Sequence, residues 1–252
     1  MRVLISNDDG VDAPGLQALT SKLSRSEDEV WVVAPATEQS AQSHSLTMHR
    51  PLRVIRHGER RFAVTGTPAD CIYLALHHVM PERPDIVVSG INAGSNLGTD
   101  VHYSGTVAAA REACLQGLPA IAVSLESAHD PERAAQWGTA TAIAERVIRS
   151  VVASPLPPRV FLNVNVPNLP LPEVKGLKAA RVSDRFYQPF VEERHDPRGR
   201  AYLWIGGRHS HFSDDPDSDG PAIEEGWATV TPMMATSTVE ELITSLKGWT
   251  EA

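Results

Sequence analysis

The residues best suited to chemistry lie in three short stretches. The first is Asn7-Asp8-Asp9-Gly10, directly after the apolar run 3–6. Two adjacent carboxylates repel one another unless a cation or a proton intervenes. A hard divalent cation that favours oxygen ligands, Mg²⁺ or Mn²⁺, meets that need. Gly10 lets the backbone turn tightly and approach a ligand. A capping or turn role for the aspartates fits the same pattern. The second stretch follows Ala34 and carries Glu38, Ser40, Ser43, His44, Ser45 and Thr47. Hydroxyls there can complete an oxygen coordination sphere or hydrogen-bond a phosphate. Taken alone, this stretch reads as a polar surface loop. The third and richest stretch spans residues 90–107, with Asn92, Asn96, Asp100 and Tyr103-Ser104-Gly105-Thr106 among closely spaced glycines. Asparagine offers neutral oxygen ligands or amide donors. Ser104-Gly105-Thr106 precede a helical pattern, and a helix N-terminus is a natural phosphate seat as well as a place for a Ser or Thr cap.

The elements that must carry these stretches alternate. Runs 3–6, 30–33, 85–89, 120–124 and 160–166 read as buried strands. Leu16, Leu19 and Leu23 mark one face of a helix that Pro14 can open. Residues 70–78, 107–116 (closed by Gly117) and 134–151 also read as helices. Such alternation predicts an α/β fold of Rossmann-like type, a mostly parallel sheet with helices on both faces. Ligands then bind beyond the carboxyl ends of the strands. That places the loops after Ser6, Ala34 and Ser89 together, with the one after Ser124 as a fourth. From about Asn168 the texture changes to proline clusters, a loop-like 194–200 and an acidic 213–220. Runs 202–205 and 227–231 suggest hairpin strands, and 239–246 a terminal helix. The expected division is a core over 1–167 and a C-terminal α+β extension over 168–252.

Composition narrows the function classes. The 252 residues carry a formal net charge of −8 and show no Lys/Arg run, which argues against binding a nucleic-acid duplex. Two cysteines, Cys71 and Cys114, form no C-x-x-C, so neither a zinc ribbon nor a disulfide framework is supported. No signal-peptide pattern and no membrane-length apolar run is present, so a soluble, cytoplasmic protein is expected. Dinucleotide, P-loop, G-x-S-x-G and H-E-x-x-H motifs are absent.

The ordered set of motifs resembles the survival protein SurE family. It comprises Asn7-Asp8-Asp9-Gly10, the 40–47 loop, Gly66-Thr67-Pro68-Ala69-Asp70-Cys71, Ser89-Gly90-Ile91-Asn92-Ala93-Gly94 and Tyr103-Ser104-Gly105-Thr106-Val107. It continues through Asn163-Val164-Asn165-Val166-Pro167, Asp196-Pro197-Arg198-Gly199, Trp204-Ile205-Gly206-Gly207, Ser218-Asp219 and residues 226–232. Ala41 and Trp227 depart from the usual family residues, and 208–216 matches little. The resemblance implies metal-dependent hydrolysis of nucleoside 5′-monophosphates, with 3′-nucleotides and short polyphosphate as further substrates. It implies one divalent cation per subunit (Mg²⁺ or Mn²⁺) on Asp8, Asp9, Ser40 and Asn92. Catalysis falls to Asp8 and Asp9, with attack by water or by an aspartate left open. The phosphate side falls to Asn7, Gly10, Ser43, Asn96, Ser104, Gly105 and Thr106. A homodimer or homotetramer built through the C-terminal half is implied too, with no membrane partner. The alternative is a non-catalytic metal and nucleotide sensor on the same fold.

Overall fold

The computed structural model describes residues 1–26, 28–126, 133–239, 242–243, 246–247 and 249. One nine-stranded sheet dominates it. In chain order its strands are β1 (Arg2–Ser6), β2 (Glu29–Pro35), β3 (Val54–Arg56), β4 (Arg61–Val64), β5 (Ile86–Ala93), β6 (Ala120–Leu125), β7 (Val160–Val166), β8 (Leu177–Ala179) and β11 (Ala228–Met234). The spatial order is β3-β4-β2-β1-β5-β6-β7-β11-β8. From β4 to β7 every pairing is parallel. Order reverses between β1 and β5, so their carboxyl ends open a crevice at the switch point, where open α/β sheets bind ligands.

Two apolar layers cover the sheet. Helices α1 (Pro14–Ser24) and α4 (Trp137–Ala153) bury Leu16, Leu19, Leu23, Ile143, Val147 and Ile148 against Val3, Ile5, Val88 and Val123. On the other face α2 (Pro68–Leu74) and α3 (Gly105–Leu115) cover Leu4, Val33, Val87 and Ala122. Alternate residues of each strand serve opposite layers, which explains why these strands read as continuous apolar runs. The helix expected over 70–78 is α2 followed by a π-helical turn, Ala75–Val79. It starts at Pro68 because Thr67 and Asp70 form a capping box. Helix α3 starts at Gly105, since the Ser104 side chain accepts the Val107 N–H.

Two expectations change. The strand predicted to stop at Ser89 runs on to Ala93, with a register shift between Ser89 and Asn92. Gly90, at φ +137°, allows this irregularity, so Asn92 belongs to a bulged strand end and not to a free loop. Trp227–Thr231 was expected as a hairpin strand; instead β11 enters the main sheet antiparallel to β7. The hairpin is built by β9 (Arg185–His195) and β10 (Ala201–Phe212), and the expected strand 202–205 lies within β10. Its turn falls within the loop-like stretch, where the Asp196 carboxylate accepts the N–H groups of Arg198 and Arg200. Arg53, Arg56, Arg60 and Arg61 lie in or directly beside β3 and β4, with Arg61 paired to Asp12 and Arg60 to Glu29. Charged side chains there suit an exposed sheet edge, which they protect from pairing with another chain. The acidic 213–220 stretch leads into a short helix α5 (Asp219–Glu224). The terminal helix expected over 239–246 falls across positions outside the described residues.

Candidate active site

Strand β1 ends in Asn7-Asp8-Asp9-Gly10, and the Asn7 amide closes the turn on itself. Its Nδ2 donates to Gly10 O at 2.9 Å and its Oδ1 accepts the Gly10 N–H at 3.2 Å. Gly10, at φ +107°, could not carry a side chain without strain. The loop after β2 packs on this turn, with Val11 N–H donating to Pro35 O and Gln39 N–H to Asp8 O, both at 2.8 Å. The first two stretches are therefore one structure.

The third stretch closes the site from below. Asp8 is 5% exposed and lies against the start of α3. The Thr106 hydroxyl donates to Asp8 Oδ1. A Cβ on Gly105 would fall 2.8 Å from Asp8 Cβ, so glycine is needed there. Burial pushes the Asp8 carboxyl up to about 6; the charge of Asp9 adds to the rise and the Thr106 hydrogen bond opposes it. Asp9 Oδ2 accepts the Ala93 N–H at 3.1 Å from the bulged end of β5. The neighbouring Asn92 donates its Nδ2 to Gly94 O at 2.8 Å.

These groups meet in a cleft of about 220 Å³. Asp8, Asp9, Ser40, Asn92, Asn96 and Ser104 line it, with Ala41, Ala93, Asp100 and Tyr103. Among the described residues no Lys, Arg or His lines it, and Asp8 and Asp9 make it acidic, while its third carboxylate, Asp100, is paired with Arg185 at 2.7 Å. The amino end of α3 adds partial positive charge. Not every expected residue faces this cleft. Asn7 and Gly10 shape the turn behind it, Gly105 gives Asp8 room, and Thr106 spends its hydroxyl on Asp8. Ser43 donates its hydroxyl to His102 O at 2.7 Å, tying the second stretch to the third.

The chain belongs to the SurE family. The family model described as Survival protein SurE matches residues 3–189. The 5′-nucleotidase SurE of Anaeromyxobacter dehalogenans is 50% identical over 255 residues, covering 99% of this chain and 96% of that protein. The 5′-nucleotidase SurE of Geobacter metallireducens is 45% identical over 249 residues, covering 99% and 97%. The crystal structure of the SurE protein from Aquifex aeolicus superposes with a TM-score of 0.86 at 34% identity, covering both chains completely.

In this SurE family member, side chains from several of the matched motifs, together with Ser124, Ser183, Arg185 and Tyr187, hold the third stretch in place. Asn96 sits between two strand ends: its N–H donates to Asn165 Oδ1 at 2.8 Å and its Nδ2 to Ser124 Oγ at 2.7 Å. Its carbonyl accepts Asn163 Nδ2 and Asn165 Nδ2 at 2.8 and 3.0 Å. Two asparagines at i and i+2 in an otherwise apolar strand were the available signal, since that spacing puts both on one face. Fully buried Asp219 accepts from Gly98 N–H, and from Ser183 N–H at 3.0 Å and Ser183 Oγ at 2.6 Å. It pins the third stretch to the C-terminal half. Asp100 takes Arg185 Nη1 at 2.7 Å and the Tyr187 hydroxyl, joining the cleft to the base of the β9–β10 hairpin.

Proposed function

We propose that the protein is a 5′-nucleotidase that hydrolyses nucleoside 5′-monophosphates to nucleoside and phosphate. The observation that carries the reading is the acidic cleft, free of basic side chains, at the amino end of α3. A phosphate dianion would be repelled there by Asp8 and Asp9 unless a cation joined them. The donors fit one hard divalent ion, Mg²⁺ or Mn²⁺: two carboxylates (Asp8, Asp9), one hydroxyl (Ser40) and one amide carbonyl (Asn92). When bound, such an ion supplies positive charge that polarises the phosphoryl group and makes water more acidic.

The remaining work falls to the chain itself. Thr106 holds one oxygen of Asp8 and so fixes the carboxylate. The Nδ2 bond to Gly94 restrains the Asn92 amide and leaves its carbonyl as the ligating group. The Ser104 N–H is taken by Asp100 O at 3.2 Å, so the Gly105 N–H and the Ser104 hydroxyl would be the donors to phosphate oxygens, and Asn96 extends that seat. Positioning and charge complementarity of this kind account for most of phosphoryl-transfer catalysis. Asp8 is the proposed base or nucleophile. In this reading 1–167 carries the chemistry and 168–252 supplies assembly elements for a homodimer or homotetramer. The exposed apolar residues of the hairpin support that assembly. The protein would act in the cytoplasm, in keeping with two buried free cysteines. No described helix is long and apolar enough to cross a membrane.

Phosphate release from AMP and GMP, with and without EDTA, tests the reading. Release abolished by EDTA and restored by Mn²⁺ is the expected result. Release that survives thorough chelation overturns the metal assignment, and nucleotide binding without release overturns the nucleotidase.

A further inference from the structure

The loop that brings Ser40 to the cleft, residues 36–53, is long and contains neither helix nor strand. Loops of this length in a compact domain are uncommon and are usually functional. Ser40 itself is exposed, and its hydroxyl donates to nearby Glu38 at 2.7 Å. Something further along the loop must therefore set its depth. Backbone contacts to Asp8 and Tyr103 contribute, as does the Ser43 hydroxyl. Farther on, Ser45 O accepts from the Thr67 hydroxyl and Thr47 N–H donates to Asp70. Between these anchors lies a direct side-chain contact to α3. His44 Nε2 is 2.8 Å from Glu112 Oε2, with side-chain exposures of 20% and 7%.

Glu112 sits two turns into α3, the helix whose first turn faces Asp8 and the cleft. The contact with His44, followed by Gln116 and the charge of His77, outweighs burial and holds the Glu112 carboxyl below its ordinary value. Gln116 Nε2 donates to its other oxygen at 2.9 Å, so the carboxylate is braced before His44 arrives. Ala41 and Ser43 hold left-handed backbone, at φ +58° and +53°, immediately before His44. Such conformations persist only where the surroundings over-determine them. A buried, braced acceptor on the helix that seats the phosphate is thus joined to the loop that carries Ser40.

We propose that His44 is a positioning residue whose clamp on Glu112 holds the 36–53 loop at the depth where Ser40 completes the cation site. This rests on the metal reading above, but its test can fail separately. Three proteins are compared: wild type, His44→Ala, and His44→Gln, in which the amide keeps a donor for Glu112. Mn²⁺ alone is titrated by calorimetry. Amide hydrogen exchange of the 36–47 segment is followed in metal-free protein, and AMP hydrolysis is measured across Mn²⁺ concentration.

In His44→Ala the Mn²⁺ dissociation constant should rise about tenfold, the scale of losing an outer partner of a metal ligand. Exchange in the loop should quicken, while kcat at saturating Mn²⁺ stays within about twofold of wild type. His44→Gln should restore both binding and protection. Wild-type Mn²⁺ affinity or unchanged loop exchange in His44→Ala overturns the clamp. So does a Gln variant no better than Ala, because a residue serving packing alone would show that pattern. Should wild type itself bind no Mn²⁺, the cation assignment falls, and loop exchange alone then decides whether His44 holds the loop.

Discussion

The nine-stranded sheet and the β9–β10 hairpin both carry large apolar side chains on paired strands and reach opposite outcomes. In β1, Val3, Leu4, Ile5 and Ser6 are completely buried, so each strand end is fixed in three dimensions. In the hairpin, Phe186, Phe190, Val191, Leu203 and Trp204 are exposed, and Ile205 is 91% exposed. A two-stranded ribbon is marginal by itself in water. This one is held at its base, through Arg185 and Tyr187 to Asp100 and through Ser183 to Asp219. Burial on both faces yields placement precise enough for chemistry. Pairing without burial yields an apolar surface that calls for a partner.

The largest effect should come from the precisely placed side. Asp8→Asn keeps the shape of the side chain and its contact with Thr106 but removes a charge from the proposed cation site. It should lower metal-dependent phosphate release at least about a thousandfold, roughly 4 kcal/mol of barrier. Turnover near wild type at saturating Mn²⁺ would show that placement by the sheet is not what creates activity.

Next comes the seam between the two regions. Asp219→Ala removes an acceptor shared by Gly98 and Ser183 and strands three buried donors. The expected loss is about 3 kcal/mol in urea unfolding. A loss under about 0.5 kcal/mol would mean that the C-terminal half is attached by something other than this carboxylate.

How legible each region was in the sequence follows from the same contrast. Strands β1 and β6 were readable because burial on both faces demands near-continuous apolar runs, β7 because 160–166 alternates, and their loops could be grouped by topology alone. Asn92 was expected in a loop because a bulge at Gly90 has no apolar signature. Strand β9 went unseen and β10 was read only over 202–205, since neither face is buried and nothing enforces alternation; Pro189 and the charged 192–194 look like loop. Asp219 lies in a matched motif, but its burial could not be read, for another reason. A buried acid inside an acidic stretch has the same composition as a solvated one, and only the donors around it tell them apart. Thr106 could be placed at the helix start but not assigned to Asp8, because that depends on Gly105 letting the two elements approach.

Acid should separate the regions more gently. The Glu112 carboxyl has a folded pKa below its ordinary value of 4.5. Its ionised form therefore stabilises the fold above pH 4.5, and that contribution disappears as the pH falls through the depressed value. The difference in thermal midpoint between wild type and Glu112→Gln should be clear at pH 7 and should shrink at pH 3.5. An equal difference at both values would show that ionisation of Glu112 contributes nothing to the fold.

The smallest effect on folding should come from the hairpin, where it is paired with a large effect on assembly. Ile205 pairs with Val191 in register and contacts solvent almost completely. Ile205→Ser removes apolar area that is not buried within the chain, so urea unfolding of the monomer should move by less than about 0.5 kcal/mol. If the ribbon is covered by a second copy, the same change removes a buried side chain from that interface. Light scattering should then show a shift toward monomer at concentrations where wild type is dimeric or tetrameric. A variant that unfolds far more easily as a monomer would place Ile205 in the core of its own chain and erase the contrast between the regions. A variant with unchanged mass at every concentration would keep the contrast but remove the hairpin from the assembly.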